Sequence, residues 1–238
     1  KRAVEDLKAR DKKLVFLTNN SSRTREEYVQ KLSSFGLNVD KSEIMSSSYG
    51  TALYLSEKAE GANVYVVGEE GLKVELEDAG LEVLPKEEAE GADYVVAGMD
   101  RNLTYDKIWG GLSAILSGAE FIATNPDPTY PTKGGLAPGA GASIGALSYS
   151  AEREPSKIIG KPSSYMIEAS LDIIDVPSER TAIVGDRIDM DVKAGKRAGL
   201  TTILVLTGVN SKEDVRAVDG AAEAPDYVLS SLMELLEG

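Results

Sequence analysis

Asp186, Asp189 and Asp191 crowd together just after the apolar run Thr181–Val184 and a glycine. Carboxylates this close repel one another unless a cation offsets their charge. Helix capping accounts for one or two of them, because negative charge is favourable at a helix N-terminus. The full set points to a bound metal. An EF-hand loop is excluded, since its twelve-residue spacing fails and Lys193 stands where a ligand belongs. Earlier in the chain, Lys161 is held between Gly160 and Pro162, after the apolar pair Ile158-Ile159. An ammonium fixed on such a turn can neutralise a phosphate as a point charge, although a surface lysine in a turn has the same sequence. Thr18-Asn19-Asn20-Ser21-Ser22 follows the apolar Leu14–Leu17. Its hydroxyls and successive backbone N–H groups suit an anion cradle, and a plain polar loop is the other reading.

Composition narrows the chemistry further. Cys and His are both absent. That excludes disulfides, thiolate nucleophiles, Cys-based zinc or iron–sulfur sites, His-assisted triads and phosphohistidine chemistry. Acid–base and metal work falls to Asp, Glu, Lys, Ser, Thr and Tyr, and oxygen ligands suit a hard cation such as Mg²⁺. The 238 residues carry 39 Asp+Glu against 26 Lys+Arg, a formal net charge of −13. Such a balance argues against nucleic acid as partner, because phosphate backbones need a basic patch. No apolar run approaches the roughly 20 residues of a membrane span, and KRAVEDLKAR is not a secretion signal. A cytoplasmic protein without membrane contact is expected.

The elements that must position these residues alternate along nearly the whole chain. Short β-branched runs between amphipathic helices predict an α/β fold with a parallel sheet. Strands are predicted at Leu14–Leu17, Val64–Val67, Tyr94–Ala97, Glu120–Ala123, Thr181–Val184 and Thr202–Leu206. Ala3, Val4 and Leu7 at helical spacing place a helix at the start. Thr24 and Glu27 form a capping box for the helix after the first strand. Helices are expected to stop at Gly36, Gly80, Gly118 and Gly199 in the left-handed conformation. The stretch Thr124–Gly145 is dense in Pro and Gly and lacks strand periodicity, so it reads as a long irregular segment facing a ligand or acting as a hinge. Within it, Gly139-Ala-Gly141-Ala-Ser-Ile-Gly145 has the wrong spacing for a dinucleotide fingerprint and reads as a helix entry with Ser143 in its first turn.

Taken in order, five pieces resemble the haloacid dehalogenase (HAD) superfamily of phosphatases. They are Leu17-Thr18-Asn19-Asn20-Ser21, Ala123-Thr124-Asn125-Pro126-Asp127, Pro138-Gly139-Ala140-Gly141, Gly160-Lys161-Pro162 and Gly185-Asp186-Arg187-Ile188-Asp189-Met190-Asp191. The match is nearer to the subfamily of 4-nitrophenyl phosphate, phosphoglycolate and pyridoxal phosphate phosphatases that carry a large α/β cap. The resemblance implies a Rossmann-like parallel-sheet core, residues 1–56 and 156–238, and an inserted α/β cap, residues 57–155. It implies a Mg²⁺-dependent phosphatase that hydrolyses small-molecule phosphomonoesters through an aspartyl-phosphate. Thr18, Asn19 and Asn20 would bind the phosphate, Lys161 would neutralise it, and Asp186 would ligate Mg²⁺. Asp191 would support the metal through its water shell, and Asp189 would cap the helix. Asn125, Asp127 and Arg101 fall in the cap and are implied to select the leaving group. Several such phosphatases dimerise through the cap, which suggests a homodimer.

One motif departs from the pattern. The family's Asp-x-Asp, which supplies nucleophile and general acid, has no counterpart; Asp189-Met190-Asp191 follows the Gly-Asp already matched. In the family this motif precedes the helix that Lys1–Arg10 resembles, so both groups are expected upstream of Lys1. A phosphate-binding module without a nucleophile is the alternative. A receiver-type phospho-acceptor has the wrong order, since there the acidic cluster comes first.

Overall fold

The computed structural model describes residues 1–218, 220 and 223–236. Its helices are α1 (Arg2–Ala9), α2 (Arg25–Ser34), α3 (Ser47–Lys58), α4 (Glu70–Asp78), α5 (Tyr105–Ser117), α6 (Gly141–Ala151), α7 (Tyr165–Ile174), α8 (Lys193–Arg197) and α9 (Lys212–Arg216). Its strands are β1 (Phe16–Thr18), β2 (Ile44–Ser46), β3 (Asn63–Val67), β4 (Glu82–Val83), β5 (Tyr94–Ala97), β6 (Glu120–Ala123), β7 (Thr129–Thr132), β8 (Gly135–Pro138), β9 (Lys157–Ile158), β10 (Ala182–Gly185), β11 (Thr201–Val205) and β12 (Tyr227–Leu229). The chain forms two compact units. The first holds Lys1–Phe16, Val29–Glu43 and Lys161–Gly238; the second holds Leu17–Tyr28 and Ile44–Gly160.

The second unit is built on a parallel sheet in the order β4-β3-β5-β6-β9. Val64, Val66, Val67, Val95, Val96, Ile122 and Ala123 are buried along it. Continuous apolar runs of this kind mark strands covered on both faces. Tyr65, Val67, Val95, Ala97, Phe121, Ile115 of α5 and Leu147 of α6 share one core cluster. Each large side chain buried there is worth about 1.5–3 kcal/mol. Helix α5 starts where the Thr104 hydroxyl accepts the Lys107 amide, and it stops at Gly118, whose φ of 112° favours glycine. A Cβ on Gly111 would lie 2.7 Å from Leu147 Cδ2, so a glycine there lets α6 pack against α5. Chain order runs from β3 outward to β4 and then returns to β5 on the other side of β3. Open α/β sheets bind ligands at such a switch point, beyond the strands' carboxyl ends.

The first unit contains a parallel sheet, β10-β11-β12, with Ile183 opposite Thr202 and Ile203 opposite Tyr227. Met166 and Ile167 of α7, together with Leu204 and Val205 of β11, are buried in it. Among the described residues, no helix of either unit is long and apolar enough to cross a membrane.

The parallel α/β class holds, and the predicted strands recur within two residues of their expected ends. Gly36, Gly80, Gly118 and Gly199 all take positive φ. The capping box also forms: Glu27 Oε2 accepts the Thr24 amide at 2.9 Å, and Thr24 Oγ1 accepts the Glu27 amide at 3.2 Å. One expectation fails. Residues 124–145 are not irregular throughout, because β7 and β8 pair as an antiparallel hairpin with Thr129 opposite Pro138 and Thr132 opposite Gly135. Pro131 and Pro138 break the usual strand signal, yet a two-stranded ribbon tolerates proline where no ladder donor is needed. Thr132 Oγ1 closes the turn, accepting the Gly134 amide and donating to the Gly135 carbonyl.

Candidate active site

In the first unit, β10 ends at Gly185 and delivers Asp186, followed by a single π-helical turn, Ile188–Val192. Asp191 belongs to that turn but folds back to the strand end. Its Oδ2 accepts the amides of Asp186 at 3.2 Å and Arg187 at 3.1 Å, and its Oδ1 accepts Lys161 Nζ at 2.6 Å. The Lys161 and Asp191 side chains are 12% and 9% exposed, so the pair is largely shielded from water. A Cβ on Gly185 would overlap the Asp191 carboxyl group, so only glycine leaves it room. The Asp186 side chain is cradled in the same way. Its Oδ2 accepts the Val209 amide at 2.9 Å, and a Cβ on Gly208 would overlap it. Asn210 completes the support, donating its amide to the Asp186 carbonyl and accepting the Ile188 amide on its side chain at 2.8 Å.

Two expectations for the acidic run are corrected here. Asp189 does not cap the helix; it faces outward and pairs with Arg187 Nη2 at 2.7 Å, while Asp191 collects the loop amides. The three carboxylates also do not gather round one point. Lys161 compensates Asp191 and Arg187 compensates Asp189, which relieves the repulsion that suggested a three-acid metal cluster. Among the described residues no three acidic side chains converge as a metal-binding group. Asp186 remains as a half-exposed hard-oxygen donor held by the Val209 backbone amide.

In the second unit, β1 delivers Thr18, whose hydroxyl accepts the Asn20 amide at 3.2 Å. The Thr18 hydroxyl also bonds Tyr28, although burial outweighs that contact and pushes the Tyr28 phenol up. Asn20 Oδ1 accepts the amide and hydroxyl of Ser22, which tightens the loop into an Asx turn. The Asn19 carbonyl accepts Asn125 Nδ2 at 2.7 Å and the Ser47 hydroxyl at 2.5 Å, and Asn19 Nδ2 donates to Asp127 Oδ2 at 3.0 Å. Buried Ser21 accepts the Met99 amide at 3.1 Å. A Cβ on Gly160 would lie 2.7 Å from Asn125 Cβ and 2.8 Å from Asn19 Oδ1, so this glycine permits the loop's close approach. The polar loop thus rests on the segments that follow β5 and β6.

Arg101, which follows β5, is engaged by Glu69, which follows β3. The Glu69 carboxylate accepts Arg101 Nε at 2.7 Å, Nη2 at 2.5 Å and the backbone amide at 2.9 Å. The guanidinium holds the Glu69 carboxyl below its usual range, and Glu69 in turn raises Arg101. This ion pair occupies the switch point between β3 and β5. The neighbouring Asp100 carboxylate is shielded from solvent and pairs with Lys107 at 2.6 Å.

The predicted residues therefore form two described sets: Lys161, Asp186 and Asp191 in the first unit, and Thr18, Asn19, Asn20, Asn125 and Asp127 in the second. Sequence reasoning missed Gly208, Val209 and Asn210 after β11. Their only signal was a polar break after an apolar strand.

Comparison with known proteins converges on one family. A model described as haloacid dehalogenase-like hydrolase matches residues 1–82, and one described as HAD-hydrolase-like matches residues 158–235. The chain is 38% identical over 231 residues to the 5'-nucleotidase YutF of Bacillus subtilis (strain 168), covering 97% of this chain and 87% of that protein. It is 37% identical over 218 residues to an acid sugar phosphatase of Staphylococcus haemolyticus, covering 92% and 80%. The solved p-nitrophenyl phosphatase from Archaeoglobus fulgidus superposes with a TM-score of 0.91 at 40% identity, over 99% of this chain and 90% of that one. A glycerol phosphate phosphatase from Mycobacterium tuberculosis, solved with calcium, gives 0.90 at 31% identity, over 98% and 68%. With the Lys161–Asp191 brace and the Asp186 donor in place, these likenesses mean that the chain belongs to the haloacid dehalogenase-like hydrolases, in their cap-bearing phosphatase subfamily.

Proposed function

We propose that this chain carries a Mg²⁺-dependent phosphatase site for small-molecule phosphomonoesters, working through an aspartyl-phosphate. The observation that carries the reading is the Lys161–Asp191–Asp186 network. It presents a fixed cation and a hard-oxygen donor suited to hold a second one, and positive charge of this kind is what phosphoryl transfer needs. Lys161 neutralises the phosphoryl group and the attacking carboxylate. Thr18 and the Asn19 amide hold phosphate oxygens, and Asn20 keeps the loop in shape. Asp191 steadies both Lys161 and the Asp186 loop, and through that loop the metal's water shell.

The donor chemistry fits a hard divalent ion. Mg²⁺ is commonly held by one or two carboxylates, with water and substrate phosphate filling the remaining positions. Asp186 supplies such a carboxylate, braced by Val209 and backed by Gly208. When bound, the ion withdraws charge from the phosphoryl oxygens. The attacking aspartate and the general acid are the roles that the family's Asp-x-Asp fills. Residues 57–155 act as the cap, and Asn125, Asp127 and Arg101 in it choose among leaving groups. The relatives' names cover nucleotide, sugar and nitrophenyl phosphates, which supports a small-molecule ester as substrate. A cytoplasmic setting and a homodimer through the cap belong to the same proposal.

The test is a screen of phosphate esters on the full-length protein, with Mg²⁺ and after chelation, alongside Asp186→Ala. Hydrolysis that stops on chelation, and loss of Mg²⁺ binding by calorimetry in the variant, are expected. Unchanged Mg²⁺ affinity in Asp186→Ala removes that residue from the metal shell. Phosphate binding without turnover of any ester makes the protein a binding module.

A further inference from the structure

The loop that starts at Thr18 ends at the first residue of α2, Arg25, and there it meets a buried carboxylate that the reaction does not use. The Glu75 side chain, on α4, is 0% exposed. Its Oε1 accepts the Arg25 amide at 2.6 Å and its Oε2 accepts Arg25 Nε at 3.0 Å. The Arg25 guanidinium lies 3.4 Å from the Tyr49 ring centroid, stacked on an aromatic face. One turn earlier on α4, a Cβ at Gly71 would come within 2.5 Å of the Arg23 backbone, so the loop's main chain runs directly against this helix. The Ser48 hydroxyl donates to the Arg23 carbonyl at 3.3 Å.

We propose that the Arg25–Glu75 pair is a latch that sets the position of the Thr18–Thr24 loop, making both side chains positioning residues for phosphate binding. The inference rests on the reading that Thr18 and the Asn19 amide hold phosphate. The loop is pinned near its start by Ser47 and Asn125, at its middle by Ser21 on Met99, and at its end by Glu75. Of these pins only the last is ionic, and it grips the backbone amide as well as the side chain. A buried carboxylate cannot be left without its cation, so α4 dictates where Arg25 sits. The short loop between Asn19 and Arg25 passes that constraint to the cradle. A displacement of about 1 Å at such a site costs on the order of 10²-fold in rate.

Glu75→Gln keeps the shape and one acceptor but removes the charge. The readouts are the inhibition constant of inorganic phosphate against 4-nitrophenyl phosphate hydrolysis, and the split between KM and kcat, on the full-length enzyme well below its melting temperature. Leu147→Ala, a buried core truncation remote from the loop in sequence, serves as a control for destabilisation alone. Thr18→Ala reports on the cradle itself. The expected result is phosphate affinity weakened about tenfold or more in Glu75→Gln, with KM raised, and unchanged within about twofold in Leu147→Ala. Phosphate affinity as strong in Glu75→Gln as in Leu147→Ala, with Thr18→Ala weakened, overturns the latch alone. Unchanged affinity in Thr18→Ala overturns the cradle reading, and the latch falls with it.

Discussion

Replacing Asp191 by Asn tests whether the Lys161 brace is a structural pair or a surface contact. The substitution keeps the side-chain shape and leaves one oxygen for the amides of Asp186 and Arg187. It sets a neutral amide against Lys161 Nζ, which lies 2.6 Å from the carboxylate at the end of a side chain only 12% exposed. A hydrogen bond to a charged group is worth about 1.5–3 kcal/mol, and breaking a buried ion pair by removing one of its charges costs about 3–5 kcal/mol. Partial solvent access to Lys161 places the expected loss at the lower end, about 3 kcal/mol. For a chain of this length that is a fall in Tm of about 6–12 °C. Urea denaturation checks it, with an unchanged m-value showing that the native state keeps its compactness. Lys161→Met combined with Asp191→Asn should cost less than the two singles together, with coupling of at least about 1 kcal/mol. Lys161→Met alone should also cut turnover by about 10²–10³, the scale for losing one charge-stabilising contact. A loss below about 0.5 kcal/mol in Asp191→Asn refutes the reasoning, because that is the size of a solvated surface pair.

Two further outcomes follow from the geometry. Asp226 is held at a pKa of about 2, chiefly by Lys196 and then by the Thr202 amide and hydroxyl, below the ordinary carboxylate value. Its folded pKa is depressed, so the stability it contributes is present above about pH 4 and is lost as pH falls towards about 2. Asp226→Asn should therefore flatten the acid limb of a denaturation series between pH 4 and 2; an unaltered slope removes Asp226 from acid unfolding. Gly208→Ala should displace the Asp186 carboxyl group, since the added Cβ would overlap it. Metal affinity should fall about tenfold, the usual scale for disturbing a ligand's support, while folding loses about 1–3 kcal/mol. Titration calorimetry on the folded variant checks this, and full affinity would show that Gly208 does not shape the donor.

The parts of the fold legible in the sequence are those with a local cause. Val64–Val67, Tyr94–Ala97 and Glu120–Ala123 are runs long enough to read as buried strands, and they recur as β3, β5 and β6. Four glycines marked helix ends because only a residue without a Cβ takes positive φ there at low cost. Short pairings were not legible. β2, β4 and β12 have three residues or fewer and carry no period, and their pairing depends on neighbours distant in the chain. The hairpin of β7 and β8 hid behind its prolines.

The candidate site divides along the same line. Residue types pointed to Thr18, Lys161 and Asp186, because hydroxyl, ammonium and carboxylate groups at strand ends are chemically loaded wherever they occur. Their division of labour depends on contacts made across the fold. Three nearby aspartates looked like one metal cluster, yet Lys161 arrives from thirty residues earlier to claim Asp191, and Arg187 turns Asp189 outward. Charge counting along a sequence cannot foresee this, since it does not know which cations the fold will deliver. The glycines carry the complementary information. Gly185 and Gly208 sit where a side chain would push Asp191 and Asp186 out of place, so the carboxylates are held as much by absent Cβ atoms as by hydrogen bonds. A glycine just after an apolar strand, with a carboxylate within a few residues of it in space, is therefore a stronger sign of a built acidic site than the number of aspartates.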